Sequence, residues 1–432
     1  MRVLTLVLAL GLTAACYSEE FGAGGPDIVV DQLEPGALHI GVMLPLADGT
    51  GVSQRDAVLL AVDAVNGAGL PGGLRVKPII VESQPVQVVG RADVDAEVRR
   101  RVDLMEAHGV PALVVGGDRA AAVATPEAVL GGLTIISFSA TAAALGNRAH
   151  PFAERAFRLA PPVRLIGGVM AGLARDAGRR RLAVIQRQGD PFGNGLGQAV
   201  EEAHRLTGGA VLDPVLLDAF LEFDHQGRLG QLLEREPDVI VPALSAIDMA
   251  RVVNEVAALG GRPGWLLPHT AVGPTFIGNV AAPAALSGAL AVAPVSGQGD
   301  GHAWFAARME ERFGHAVGAF DALAFDAVAL LALASARALR EPRDGNPVAG
   351  AELPRHIRAV ANGPGRRLGP AELREALGVL AAGDEIEWTG AWADFDLAST
   401  GEPLGELALQ IYSFDAATKG FAPLEVRTVR SE

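Results

Sequence analysis

Histidine, cysteine, serine and paired carboxylates carry most protein chemistry, and their placement in this chain supports little of it. The nine histidines are dispersed, with no H-E-x-x-H and no metal-ligand pairing. No serine stands in G-x-S-x-G, so there is no nucleophile elbow, and there is no Walker A loop. Gly193, Gly195 and Gly197 form G-x-G-x-G, but Gln198 stands where a dinucleotide fingerprint needs its last glycine. The run follows a loop rather than a strand and reads as a turn ahead of a helix over 194–207. Asp48, Asp190 and Asp321 could meet in a cleft, yet nothing in the sequence pairs them. No catalytic residue, metal site or cofactor is expected.

Cys16 is the only cysteine, which rules out an internal disulfide and a cysteine-based zinc site. Arg2 supplies a positive start, Val3 to Leu12 is apolar, and Leu12-Thr13-Ala14-Ala15-Cys16 follows. A run this short is a secretory signal rather than a membrane span. A cysteine directly after small residues resembles a bacterial lipobox. The expectation is therefore a signal peptide over 1–15 and a lipid on the Cys16 thiol that anchors the chain to a membrane. Residues 16–36, rich in glycine, proline and acid, read as a tether; about twenty flexible residues span roughly 25 Å r.m.s..

The 432 residues are half apolar and 20% charged, with a net charge of −14, enough chain for two or three cored domains. The acidic balance excludes nucleic acid as a partner, because no basic stripe is left to neutralise phosphates. Beyond the N-terminus no apolar run reaches the length of a membrane span.

From residue 37 short apolar runs alternate with amphipathic segments. Strands are expected at 37–44, 74–82, 111–117 and 133–137, then at 181–186, 210–217, 237–242 and 265–268. Helices are expected at 54–66 with Ser53 as N-cap, 92–109, 119–131, 163–177, 194–207, 225–235, 246–259, 319–338 and 369–382. Such alternation means βαβ units and parallel sheets covered on both faces. Two successive runs predict an α/β fold of two doubly wound lobes. Residues 340–370 read as an irregular surface excursion, and those after 385 as short antiparallel strands.

Several of these segments look like one family. The opening GVMLPLADGTGV (41–52) and the helix LLAVDAVNGAG (59–69) come first. VVGGDRAAAVATPEAVLGGLTIISFSATAAAL (114–145), AFDAVALLALASA (324–336) and WTGAWADFDLASTGEP (388–403) follow in order. Together they resemble the type I periplasmic binding proteins, in particular the leucine/isoleucine/valine-binding proteins of ABC transporters, over nearly all of 37–415. The resemblance implies lobe 1 from 37–158 plus 293–385 and lobe 2 from 159–292 plus 386–432. Three crossovers would join them, near 157–160, 291–295 and 384–390.

In that family a small molecule sits between the lobes, and helix N-termini point N–H groups at its carboxylate. The resemblance implies that the turn Ser139-Ala140-Thr141 binds an acidic group through the Ser139 backbone and the Thr141 hydroxyl and N–H. The same turn would serve as a plain N-cap. Phe192 falls where the family often stacks a tyrosine on its ligand, and Phe320 at a pocket wall; either would also suit a core position. Arg119 falls near a carboxylate-binding hydroxyl and could clamp an anion, or be a solvated helix-start cation. Ser245 falls at a second-lobe tyrosine. His269 falls at the glutamate that neutralises an amino group, or is a loop residue.

Without that glutamate an α-ammonium would be buried unpaired. The expected ligand is therefore an anionic or neutral polar molecule rather than a branched-chain amino acid. The expected partners are this small molecule, an ABC permease, and the membrane through the lipid. The rival expectation is an interaction protein of the same fold, of the kind that activates cell-wall synthases from the envelope without transport.

Overall fold

In the computed structural model the described residues are 33–431, apart from 35, 48, 84–90, 143–153, 219–224, 344–346, 395 and 416. The expected signal segment and Cys16 lie outside them. The first run comprises β1 (Leu38–Leu44), α1 (Gly49–Ala68), β2 (Val76–Glu82), α2 (Arg91–Ala107), β3 (Ala112–Val115), α3 (Asp118–Leu130), β4 (Thr134–Ser137) and β5 (Ala156–Arg158). The strands form one sheet in the order β2-β1-β3-β4-β5, parallel at every pair. Val42, Met43 and Leu44 are all buried although successive side chains face opposite ways. Val42 and Leu44 join the core that holds Val58 and Ala61 of α1. Met43 joins Val102 of α2 and Ala121 of α3 on the other face. A continuous apolar strand is what two covered faces require.

The second run repeats the plan with α4 (Val163–Asp176), β6 (Arg181–Arg187), α5 (Pro191–Leu206), β7 (Ala210–Val211), β8 (Val215–Leu217), α6 (Gln226–Glu234), β9 (Val239–Ala243), α7 (Ala246–Ala258), β10 (Gly264–Pro268), the five-residue α8 (Pro274–Gly278) and β11 (Leu290–Pro294). Strands β11-β10-β9-β6 are parallel neighbours, and β7 and β8 both pair with β6. The expected strand 210–217 is thus two short pieces. Helices α4 and α5 cover one face, while α6 and α7 cover the other.

The glycine run that read as a turn lies inside α5, which starts two residues before Gly193 and is capped by Asp190. A Cβ at Gly197 would meet Val184 at 2.9 Å, so the glycine lets α5 seat directly on β6.

The remaining elements are α9 (Gly299–Phe313), α10 (Asp321–Ala338), α11 (Leu353–Ala361), β12 (Arg366–Leu368), α12 (Leu373–Ala382), β13 (Ile386–Trp388), β14 (Asp396–Leu397), β15 (Pro403–Asp415) and β16 (Gly420–Ser431). Helix α10 is buried on all sides; Arg337 alone among its residues is not fully buried. A helix buried on every face needs cover all round. That corrects the expected surface excursion at 340–370, because Leu353, Ile357 and Val360 of α11 pack in the same core as α10. The closing strands are also not short. β15 and β16 pair antiparallel along Gly405–Asp415, and β15 joins the second sheet through β11.

The chain passes between the two sheets three times, after β5, after β11 and between β13 and β15. Polar contacts lace these passages. Trp392 Nε1 donates to the Val295 carbonyl at 2.7 Å. The buried Arg158 guanidinium pairs with Glu402. Asp326 of α10 accepts the N–H groups of Ala391 and Trp392, both at 2.9 Å, and Trp388 Nε1 at 3.2 Å. The helix AFDAVALLALASA and the closing WTGAW therefore meet through one carboxylate. Burial pushes that carboxyl up to about 7, although the three donors hold it back. Among the described residues no helix is long and apolar enough to cross a membrane.

Candidate functional site

Open α/β sheets present the carboxyl ends of their strands where topology reverses, and ligands gather there. On the first sheet this edge carries Gly116-Gly117-Asp118 after β3 and Phe138 to Ala142 after β4. Ser139 Oγ accepts the Gly117 N–H at 2.8 Å, and Ser139 and Thr141 are both buried. The Thr141 N–H, expected to face a ligand, is already engaged. It donates to Asp118 Oδ1 at 2.7 Å, and the Ala142 N–H donates to the same oxygen. Behind the turn, Arg158 donates to the carbonyls of Thr141 and Ala142. Residues 138–142 are not helical, and the expected helix beyond them falls outside the described residues. Ala140 is buried within this turn.

Asp118 is a residue that sequence reasoning passed over in favour of Arg119. Its signal was its place, one step past a glycine pair at a strand's carboxyl end. Burial pushes its carboxyl up to about 6, the Asp190 charge adds to the rise, and Ala142, Thr141 and Arg158 oppose it. Asp190 caps α5 in the second run, and α3 packs against α5.

Arg119, expected as an anion clamp or a solvated helix-start cation, pairs with Asp95 of α2 at 2.8 Å. Ser245 is exposed and caps α7. Its Oγ accepts the Asp248 N–H at 3.3 Å and donates to the Asp248 carboxylate at 3.0 Å. Phe192, His269 and Phe320 do come together. The His269 ring lies 5.1 Å from Phe192 and 5.2 Å from Phe320, edge-on to both. Phe192 starts α5, His269 follows β10, and Phe320 precedes α10, so the three rings bridge the two halves. Burial pushes the His269 imidazole down to about 4, so it is neutral near pH 7.

Beside Phe320, Asp321 accepts the Ser53 hydroxyl and the Gly318 N–H at 2.7 Å. Ser53 lies within α1 rather than at its cap, since α1 begins at Gly49. Its hydroxyl instead ties the start of α1 to the start of α10. Several buried polar atoms at the strand ends of the two sheets and at the start of α10 have no partner among the described residues: Thr141 Oγ1, Ser137 Oγ, Gln54 Oε1, His269 Nδ1 and Asp321 Oδ1. Gln54 faces Gly116, where a Cβ would stand 3.1 Å from its Oε1.

Two doubly wound sheets crossed three times by the chain, with polar atoms at their strand ends that no described residue satisfies, define the two-lobed clasp of a small-molecule receptor. The family model described as periplasmic binding protein matches residues 38–364, and the chain belongs to that family. Its fold is the type I periplasmic binding protein fold.

A leucine-binding protein of Thermotoga maritima is 16% identical, with a TM-score of 0.71, 90% of this chain and 98% of that one being covered. A benzoate-bound solute-binding protein of an ABC transporter from R. palustris is 15% identical over 92% and 98%, with a TM-score of 0.65. An isoleucine-bound branched-chain amino acid transporter protein from Streptococcus pneumoniae is 14% identical over 91% and 100%, with a TM-score of 0.67. At these identities the likeness is one of fold. Among curated proteins none matches the chain in sequence.

Proposed function

We propose that this chain is the solute receptor of an ABC transporter, tethered by a lipid on Cys16, which captures a small polar molecule between lobe 1 (37–158 plus 293–385) and lobe 2 (159–292 plus 386–432). The observation that carries the reading is the set of buried, unpartnered polar atoms at the strand ends, Thr141 Oγ1, Gln54 Oε1 and His269 Nδ1 among them. Each such atom costs about 1–3 kcal/mol if nothing satisfies it, and a bound solute would. A ligand touching both halves shifts the population towards the closed form by its preference for that form. No covalent step is involved.

A thermal-shift screen with amines, carboxylates, amides and sugars tests this. A ligand at 100 times its Kd stabilises by about 2.7 kcal/mol. Thr141→Val should then abolish the shift without lowering basal stability, because the hydroxyl has no partner among the described residues. A flat screen would favour the envelope interaction protein instead. Palmitate labelling lost in Cys16→Ser, with the full chain expressed in a bacterium, tests the anchor.

A further inference from the structure

Strand β16 is an edge. It pairs with β15 along one side, and among the described residues no strand pairs with its other side. Its 12 residues make it long for a strand. A free edge of that length offers a row of backbone donors and acceptors to another chain. The register skips Leu424, which stands between Pro423 opposite Tyr412 and Glu425 opposite Ile411. This bulge, and a proline without an N–H, blunt the first part of the edge. From Glu425 onward the edge carries neither device.

The side chains there are self-complementary. Glu425 and Arg427 lie opposite Ile411 and Leu409, which belong to the core under α4, so both charges share that face. Arg427 Nη2 stands 2.8 Å from Glu425 Oε1. Val426 lies opposite Gln410 on the other face and is 49% exposed, and Leu424 beside it is 58% exposed. A two-fold axis perpendicular to the sheet keeps each face on its own side. Opposite residues must then share a face, so the axis falls on a residue. On Glu425 it would set that glutamate against its own copy, and on Arg427 it would oppose two arginines, both unfavourable. On Val426 it sets Glu425 of each copy against Arg427 of the other, valine against valine and Leu424 against Thr428.

We propose that two copies of this chain associate through β16, antiparallel about Val426, and join their second sheets into one. The bulge and Pro423 end the regular ladder on either side, so the shared segment is short. The dimer is therefore weak and concentration-dependent, and its exposed ion pairs make it sensitive to salt. The association is independent of what the crevice holds.

The test is sedimentation velocity of the full chain carrying Cys16→Ser, which removes the only native thiol. From about 1 to about 100 µM, a range in which small interfaces associate, it should pass from monomer to dimer. Glu425→Arg should weaken the dimer at least tenfold. Glu425→Arg combined with Arg427→Glu should restore it, because the pair is then reversed rather than lost. The unfolding midpoints of these variants should stay near that of the parent, since both side chains lie at the surface. In the same background Val426→Cys should give a disulfide-linked dimer on mild oxidation. Arg430→Cys, which falls opposite Ala422 of the other copy, should not. A chain that stays monomeric at the highest concentration would overturn the proposal. So would a dimer that Glu425→Arg leaves intact, a double variant that stays monomeric, or linkage through Arg430→Cys as ready as through Val426→Cys.

Discussion

Asp118 Oδ1 accepts the backbone N–H of Thr141 at 2.7 Å, across 23 residues of chain. In this one contact the end of one strand secures the turn after its neighbour, and the protein fills an anion seat with its own side chain. Removing the carboxylate should therefore affect stability as well as recognition. Asp118→Ala should destabilise by about 2 kcal/mol, because two amides lose their acceptor. Asp118→Asn should cost less than about 1 kcal/mol. Urea unfolding monitored by tryptophan fluorescence reads the difference.

Arg158 and Glu402 form the second test. The arginine side chain is 2% exposed, and burial pushes its guanidinium down to about 10. Glu402→Gln leaves that charge buried with its ion-pair partner gone, a cost of about 3 kcal/mol. Adding Arg158→Met should recover part of the loss. If the double variant were as unstable as the sum of the single ones, the pair would not be coupled.

His269 predicts a pH dependence. Its folded value of about 4 lies below the usual 6.5. Between these values the unfolded chain binds the proton and the folded chain does not, so stability falls as pH drops from 6.5 towards 4. Relative to His269→Gln, the wild type should lose on the order of 1–2 kcal/mol between pH 7.5 and pH 5. Parallel urea curves at the two pH values measure it.

Gly401 sits at φ 79°, and a Cβ there would run into the Ala156 carbonyl oxygen. Its own carbonyl accepts the Arg158 N–H at 2.8 Å, which ties the return chain to β5. Gly401→Ala should destabilise by about 3 kcal/mol or more, combining left-handed strain with a backbone clash. Soluble yield and the unfolding midpoint report the effect.

Much of the architecture was legible in the residues. Alternating apolar strands and amphipathic helices, restarted once, dictate two parallel sheets. The predicted strands from 37 to 268 appear within a few residues, apart from the split at 210–217. Reading failed where an element depends on distant cover. Residues 340–370 are poor in long apolar runs, yet α11 is held by the almost entirely buried α10, whose far side only the fold reveals. Among the site residues, the family resemblance singled out Phe192, His269 and Phe320 one by one, and the fold brings their rings together. Arg119 and Ser245 each engage an acidic neighbour, Asp95 and Asp248 respectively, the first a pairing that no local spacing announced.

The sequence by itself determined the alternation, the strand ends at which a site would form, and the lone Cys16 with its small-residue approach. Those are properties of neighbouring residues and of the period with which they repeat. Only the tertiary structure decided that Asp118 closes on Thr141 and that Ser53 reaches Asp321. A hydrogen bond is governed by distances of a few ångströms between segments that here stand 23 and 268 residues apart. No local pattern encodes which of several nearby carboxylates will arrive there first.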